Sequence, residues 1–162
     1  MMIRRLVIYS AILLMGCVLG ANVYNTAVDA PNWGSAIPQS LEAAKNYFAV
    51  ANPGTFFRVH SPAAQIAALA VLIATWPFGR RIRILAAAAL VLAVLADAMT
   101  FAYFYPRNEI MFGSDSHPAD VLRNAWSGWS AMNHVRTAVV FVAVVCELVV
   151  LSAFERRSSM NV

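Results

Sequence analysis

The chain has 162 residues, of which 60% are apolar and only 12% are Asp, Glu, Lys or Arg; ordinary soluble domains run at roughly 45–50% apolar and about 25% charged. With a mean hydropathy of +0.64, too few polar groups remain to coat a globule, which excludes a soluble enzyme, a disordered chain and a nucleic-acid-binding domain. The net charge of +4 matters through where the basic residues sit, not through its size.

A bilayer core about 30 Å thick needs roughly 20 mostly apolar helical residues. Arg4 and Arg5 precede an uncharged run from Leu6 to Val28, which predicts a first spanning helix over 3–28. Arg4–Arg5 followed by Leu14-Met15-Gly16-Cys17 has the outline of a secretion signal. The apolar run nevertheless continues through Val18 and Leu19, so this helix is expected to remain uncleaved. The next segment, Asp29–Phe57, contains Pro31, Pro38, Pro53 and Gly54. Between them Leu41, Ala44, Tyr47 and Phe48 recur at helical spacing while Glu42, Lys45 and Asn46 face elsewhere. This predicts a short amphipathic helix over 39–50, lying on the bundle mouth or on the outer leaflet.

A second helix is predicted over 57–78, uncharged from Val59 to Gly79. Arg80, Arg81 and Arg83 then lead into a third, over 82–105, interrupted only by Asp97. Its Ala86–Ala89 patch would allow a close neighbour. Pro106–Asp120 holds the turn formers Gly113, Asp115 and Pro118. Asp120 is placed to cap a fourth helix over 121–155, which carries Arg136 and Glu147. The expected fold is all-α: one integral membrane domain, a four-transmembrane-helix bundle with a short amphipathic helix in the first outer loop.

Charge orients this bundle. Arg4, Arg5, Arg80, Arg81, Arg83, Arg156 and Arg157 fall on one side of a four-span threading. Lys45, Arg58, Arg107 and Arg123 on the other side are balanced by Asp29, Glu42, Glu109, Asp115 and Asp120. The positive-inside rule then places both termini in the cytoplasm; the expected location is the inner (plasma) membrane of a bacterium. The basic balance therefore reads as topology, and no basic stripe interleaved with aromatics points to a nucleic-acid partner.

Polar side chains gather in the outer half. Helix one supplies Asn22, Tyr24, Asn25 and Asp29; helix two supplies Arg58, His60 and Gln65. Helix three supplies Asp97, Thr100, Tyr103 and Tyr105, followed by Arg107, Asn108 and Glu109. On helix four, Trp126, Trp129, Asn133, Arg136 and Val140 follow a 3-4-3-4 rhythm and form one stripe, with His134 and Thr137 at its borders. Asp97 lies about 12 Å below the end of its helix, a depth comparable with Arg136. An Asp97–Arg136 pair is thus expected, because burying either charge alone costs several kcal/mol (about 3–5 when one partner is removed). Such a pair serves as a structural clamp as readily as a reacting one, and interfacial Trp and Tyr also form belts. Only Glu147 breaks the plain apolar inner half.

A metal would need His60, His134 or His117 with a carboxylate such as Asp97 or Glu109. An iron or copper site built from His60, His134 and Asp97 is the alternative here, although no His-x-x-His, Glu-x-x-His or Cys-x-x-Cys pair supports it. No G-x-S-x-G elbow, Gly-rich phosphate loop or inverted repeat is present. Cys17 and Cys146 both lie in apolar runs.

The run Trp129-Ser130-Ala131-Met132-Asn133-His134-Val135-Arg136-Thr137, followed by an apolar helix, resembles a signature of the anthrone oxygenase-like membrane proteins. Tyr105-Pro106-Arg107-Asn108-Glu109 resembles the same family's Pro-x-Asn segment, and Asn22–Pro31 and Phe57–Pro62 fall in the expected order. The resemblance implies a small four-helix membrane protein oxidising an apolar aromatic, polyketide-like or quinone-like substrate with O2, and no flavin or haem. It marks Asn108, Asn133, His134, Arg136 and Thr137 as motif positions. In that reading His134 is the base, and Arg136 with Asn133 or Asn108 holds the resulting oxyanion. Trp126, Trp129 and Tyr103 stack on a flat substrate, with Thr137, Asp97, Arg58, His60 and Tyr24 completing the pocket. The rival is a non-catalytic accessory subunit binding a quinone, lipid or pigment. The expected partners are an apolar small molecule or lipid, the bilayer, and a membrane-complex partner or a second copy of the chain.

Overall fold

The computed structural model describes residues 1–159. Among the described residues there is no strand, and four helices are long and apolar enough to cross a membrane. They are α1 (Met2–Gly34), α3 (Pro53–Phe78), α4 (Arg80–Phe112) and α5 (Ala119–Ser159), with a short α2 (Gln39–Tyr47) between the first two. The chain is an integral membrane four-helix bundle.

α1 and α4 each contain 33 residues, about 50 Å of helix against a hydrocarbon core of about 30 Å. Both run past their expected ends: α1 reaches Gly34 instead of 28, and α4 reaches Phe112 instead of 105. The same device explains both. Asn25–Asp29 and Thr100–Phe104 wind as π-helix, and Pro31 and Pro106 each follow two residues later. A proline removes the N–H that would bond the carbonyl four residues back and pushes its ring against that carbonyl. Here those carbonyls belong to Ala27 and Ala102, inside the widened turns, so the clash is absorbed and the helix continues. α3 starts at Pro53, before the expected 57, because Asn52 caps it. The Asn52 Oδ1 accepts from the Thr55 N–H at 3.1 Å while the Asn52 N–H donates to the Thr55 hydroxyl at 3.4 Å, a reciprocal capping box.

The interior is layered along the bundle axis. At the basic end Ile8, Ala11, Val71, Ile82, Ala86, Val150 and Phe154 pack together. The middle layer is Met15, Val18, Ala64, Ala93, Ala96, Val140 and Ala143. Alanine dominates it, which lets the backbones approach closely. At the opposite end Trp33, Leu41, Phe104, Met111, Leu122 and Trp129 form an aromatic-rich layer. Leu41 in that layer fixes α2 on the bundle mouth rather than on the leaflet. At the basic end Arg4 lies over Phe78 and Arg83 over Trp76, and the Arg157 guanidinium donates to the Phe78 carbonyl.

α3 shapes the site by what it leaves open. Its buried stripe runs Thr75, Val71, Ala68, Ala64 and Ser61 and ends there. Residues 53–75 pack on 2–24 and 80–99, whereas the outer extensions 25–34 and 105–112 pack on α5. The outer turns of α3 therefore form one detached wall, and a space opens between it and the rest.

Candidate functional site

That space is a cavity of about 650 Å³. α3 contributes Phe57, Arg58 and Pro62; α4 contributes Asp97, Thr100, Phe101, Tyr105, Asn108, Glu109 and Phe112; α5 contributes Trp129 and Arg136. Asn25 and Trp33 of α1 close the rear, and Lys45 and Phe48 form a roof. Asn25 and Thr100 stand in the two π turns, so the segments that let the helices pass their prolines also line the cavity.

Arg136 anchors the inner wall. It is 5% exposed; its Nη2 donates to Asn133 Oδ1 at 2.7 Å and its Nη1 to the Thr100 hydroxyl at 3.2 Å. The guanidinium lies 4.0 Å over the Phe104 ring, a favourable cation–π position. Asn133 is wholly buried and in turn donates to the Thr26 hydroxyl at 2.7 Å. Thr137 donates to the Asn133 carbonyl and lies 3.3 Å from Thr26. The chain Thr26–Asn133–Arg136–Thr100 thus ties α1, α5 and α4 together beneath the cavity. Among the described residues, Arg136 Nε and Trp129 Nε1 have no hydrogen-bond partner. Two buried N–H donors beside the cavity are therefore unspent, and such groups are costly unless something accepts from them.

Asp97 faces the same space. Gln65 donates to its carboxylate at 2.5 Å, tying α3 to α4. The expected Asp97–Arg136 pair is corrected in its form. Both groups line one cavity and feel each other's charge, but their hydrogen bonds go to Gln65 and to Thr100 and Asn133. The two charges therefore share one cavity without a direct ion pair between them.

Other expected positions scatter. Arg58, Asp97, Asn108, Trp129 and Arg136 line the cavity, and Asn133 backs Arg136. His134 is exposed on the outside of α5, because each residue turns a helix by about 100° and position 134 points about 200° from 136. Tyr24 is exposed on α1. Trp126 is turned to α1, where its Nε1 donates to the Ala30 carbonyl at 2.8 Å. Tyr103 donates to the Gly128 carbonyl and is covered by the Arg107 guanidinium. His60 stacks on Phe56 at 3.9 Å, with Nδ1 3.1 Å from the Phe56 carbonyl. The metal set His60, His134 and Asp97 is not assembled. Among the described residues no three His, Cys, Asp or Glu side chains come together to hold an ion.

The sequence reading missed most of the aromatic lining: Trp33, Phe48, Phe57, Phe101 and Phe112. Trp33 packs 5.0 Å from Trp129 and 5.1 Å from Phe112. The available signal was the density of aromatics in the two outer connections, which no single helical stripe collects.

No curated protein and no solved structure matches the chain. The profile of the anthrone oxygenase family matches residues 54–146, more than half of the 162 residues. That stretch holds α3, α4 and most of α5, and with them Asp97, Asn108, Asn133 and Arg136. The chain belongs to the anthrone oxygenase family.

Proposed function

We propose that the protein oxidises a flat, weakly acidic aromatic molecule of the anthrone type with O2 in the cavity at the mouth of the bundle. The observation that carries this reading is the pairing, in one aromatic cavity, of a hydrogen-bonded carboxylate with a buried guanidinium that has an N–H to spare. Loss of a ring-CH2 proton converts such a molecule to an electron-rich phenolate. Asp97 is the base placed for that proton, in the role first expected of His134. Arg136, oriented by Asn133 and Thr100, stabilises the phenolate oxygen in a water-poor wall. The phenolate then gives its electrons to O2. Addition of O2 at that carbon and loss of water leave the quinone, so one CH2 and one O2 become one C=O and one H2O. Oxygen is the oxidant, and the substrate itself supplies the electrons.

Trp129 and Phe57 supply flat apolar surface for the rings, and Asn108 reaches the cavity from the outer extension of α4. The basic end of the bundle is cytoplasmic, which sets the cavity toward the outer face of the bacterial inner membrane. Oxygen uptake and quinone absorbance with anthrone, measured on the purified full chain, test the reading. Asp97→Asn and Arg136→Gln are each expected to lower turnover about a hundredfold or more, while His134→Ala leaves it near the parent value. Unchanged uptake in both cavity variants would overturn the assignment, and tight binding without any uptake would favour a binding subunit.

A further inference from the structure

The cavity has a roof at the bundle mouth and an exposed side between two helices. The roof is braced by contacts: the Lys45 ammonium donates to the Gly113 carbonyl at 2.5 Å, and Trp33 packs edge to face on Phe48 and Phe112 beneath it. The side lies between the outer turns of α3 and α4. Its lips are Pro62 and Arg58 on α3 and Phe101 and Tyr105 on α4, and all four both line the cavity and are exposed.

Depth along the helices places this gap in the bilayer. Phe101 is eighteen residues, about 27 Å, from Arg83 at the basic interface. Pro62 is sixteen residues, about 24 Å, from Phe78. Both fall just inside a hydrocarbon core of about 30 Å. Pro62 is an interior proline that leaves the Arg58 carbonyl without its helical N–H, and the buried stripe of α3 stops at the adjacent Ser61.

We propose that the cavity loads sideways, from the leaflet at the cavity end, through the gap between Pro62 and Phe101. Its ligands are then membrane-dissolved amphiphiles: a flat apolar ring system that travels among the acyl chains, with one acidic hydroxyl that Arg58 meets at the lip and Arg136 holds inside. Water-soluble molecules that would arrive through the roof are excluded. This deepens the oxygenase reading and rests on it for the ligand class.

The test uses the full chain in proteoliposomes, with Cys17 and Cys146 replaced by Ala, and anthrone as the probe under argon. Binding is followed by quenching of tryptophan emission as anthrone transfers from donor vesicles. A cleavable bismaleimide across P62C and F101C is expected to slow association and dissociation together by about tenfold or more, with little change in Kd and full recovery on reduction. The single variant Phe101→Ala, which widens the gap without touching α3, is expected to speed both rates. Rates unchanged by the cross-link or by Phe101→Ala overturn the lateral route. Oxygen uptake that persists with such insensitive rates leaves the oxygenase reading standing. Gated binding without oxygen uptake does the reverse, and no binding by the uncross-linked protein overturns both.

Discussion

Two buried side chains on α5, Arg136 and Glu147, show how differently a polar group can be kept inside a membrane bundle. Arg136 is held by Thr100 and Asn133 and covered by the Phe104 ring. Its desolvation is offset by contacts that also aim it at the cavity. Glu147 is 1% exposed and, among the described residues, neither of its carboxyl oxygens has a hydrogen-bond partner. It lies eleven residues, about 16 Å, from Arg136 along the helix, in the alanine- and valine-rich half. A buried polar group without a partner costs about 1–3 kcal/mol. Glu147→Met, similar in length and apolar, is therefore expected to raise the midpoint of thermal unfolding in detergent by several degrees, with oxygen uptake unchanged. A lower midpoint would show that the carboxyl makes an interaction the bundle depends on.

At the scale of the element, the outer extension of α1 and the first turns of α5 are joined at Gly34 and Trp126. A Cβ on Gly34 would overlap the Trp126 indole, and the indole is fixed by its bond to the Ala30 carbonyl. Gly34→Ala should cost about 1–3 kcal/mol by overpacking and shift Trp126 emission as the ring is displaced. Gly16 and Gly20 meet nothing within 4 Å in the bundle, so Gly16→Ala and Gly20→Ala are expected to be neutral or stabilising by up to about 1 kcal/mol. Equal gains at all three positions would show that helix propensity, not the Trp126 contact, decides. The extension that carries Gly34 was hidden in the sequence. Pro31 reads as a stop when α-helix is the only alternative, and the π turn before it has no residue signature of its own. The stripe on α5 was legible, because a 3-4-3-4 rhythm is a property of one helix: Trp129, Asn133, Arg136 and Val140 are all buried. The rest of the cavity was not, since Trp33, Phe48 and Phe57 reach Trp129 and Arg136 only through the way separate helices pack. His134 illustrates the difference, being adjacent in the chain to Asn133 yet turned about 100° around the helix, onto its exposed face.

For the whole molecule, the distribution of charge ties orientation to chemistry. Arg4, Arg5, Arg80, Arg81, Arg83, Arg156 and Arg157 cluster at helix ends that lie together, and the cavity is at the other end of the bundle. Each of these cations would cost roughly 2.5–3.5 kcal/mol at the centre of a membrane span, so the positive-inside rule expects this end on the cytoplasmic side. On that orientation the 33-residue lengths of α1 and α4 carry the roof of the cavity past the opposite surface, where the acidic and basic loop residues nearly balance. Single cysteines in a background lacking Cys17 and Cys146 decide the matter. With a membrane-impermeant thiol reagent applied to intact spheroplasts, Ser35→Cys and Ser114→Cys, both exposed at the cavity end, are expected to label at once. Met2→Cys, exposed at the basic end, should label only after lysis. The reverse pattern would put the cavity on the cytoplasmic face and require its ligand to be drawn from the inner leaflet.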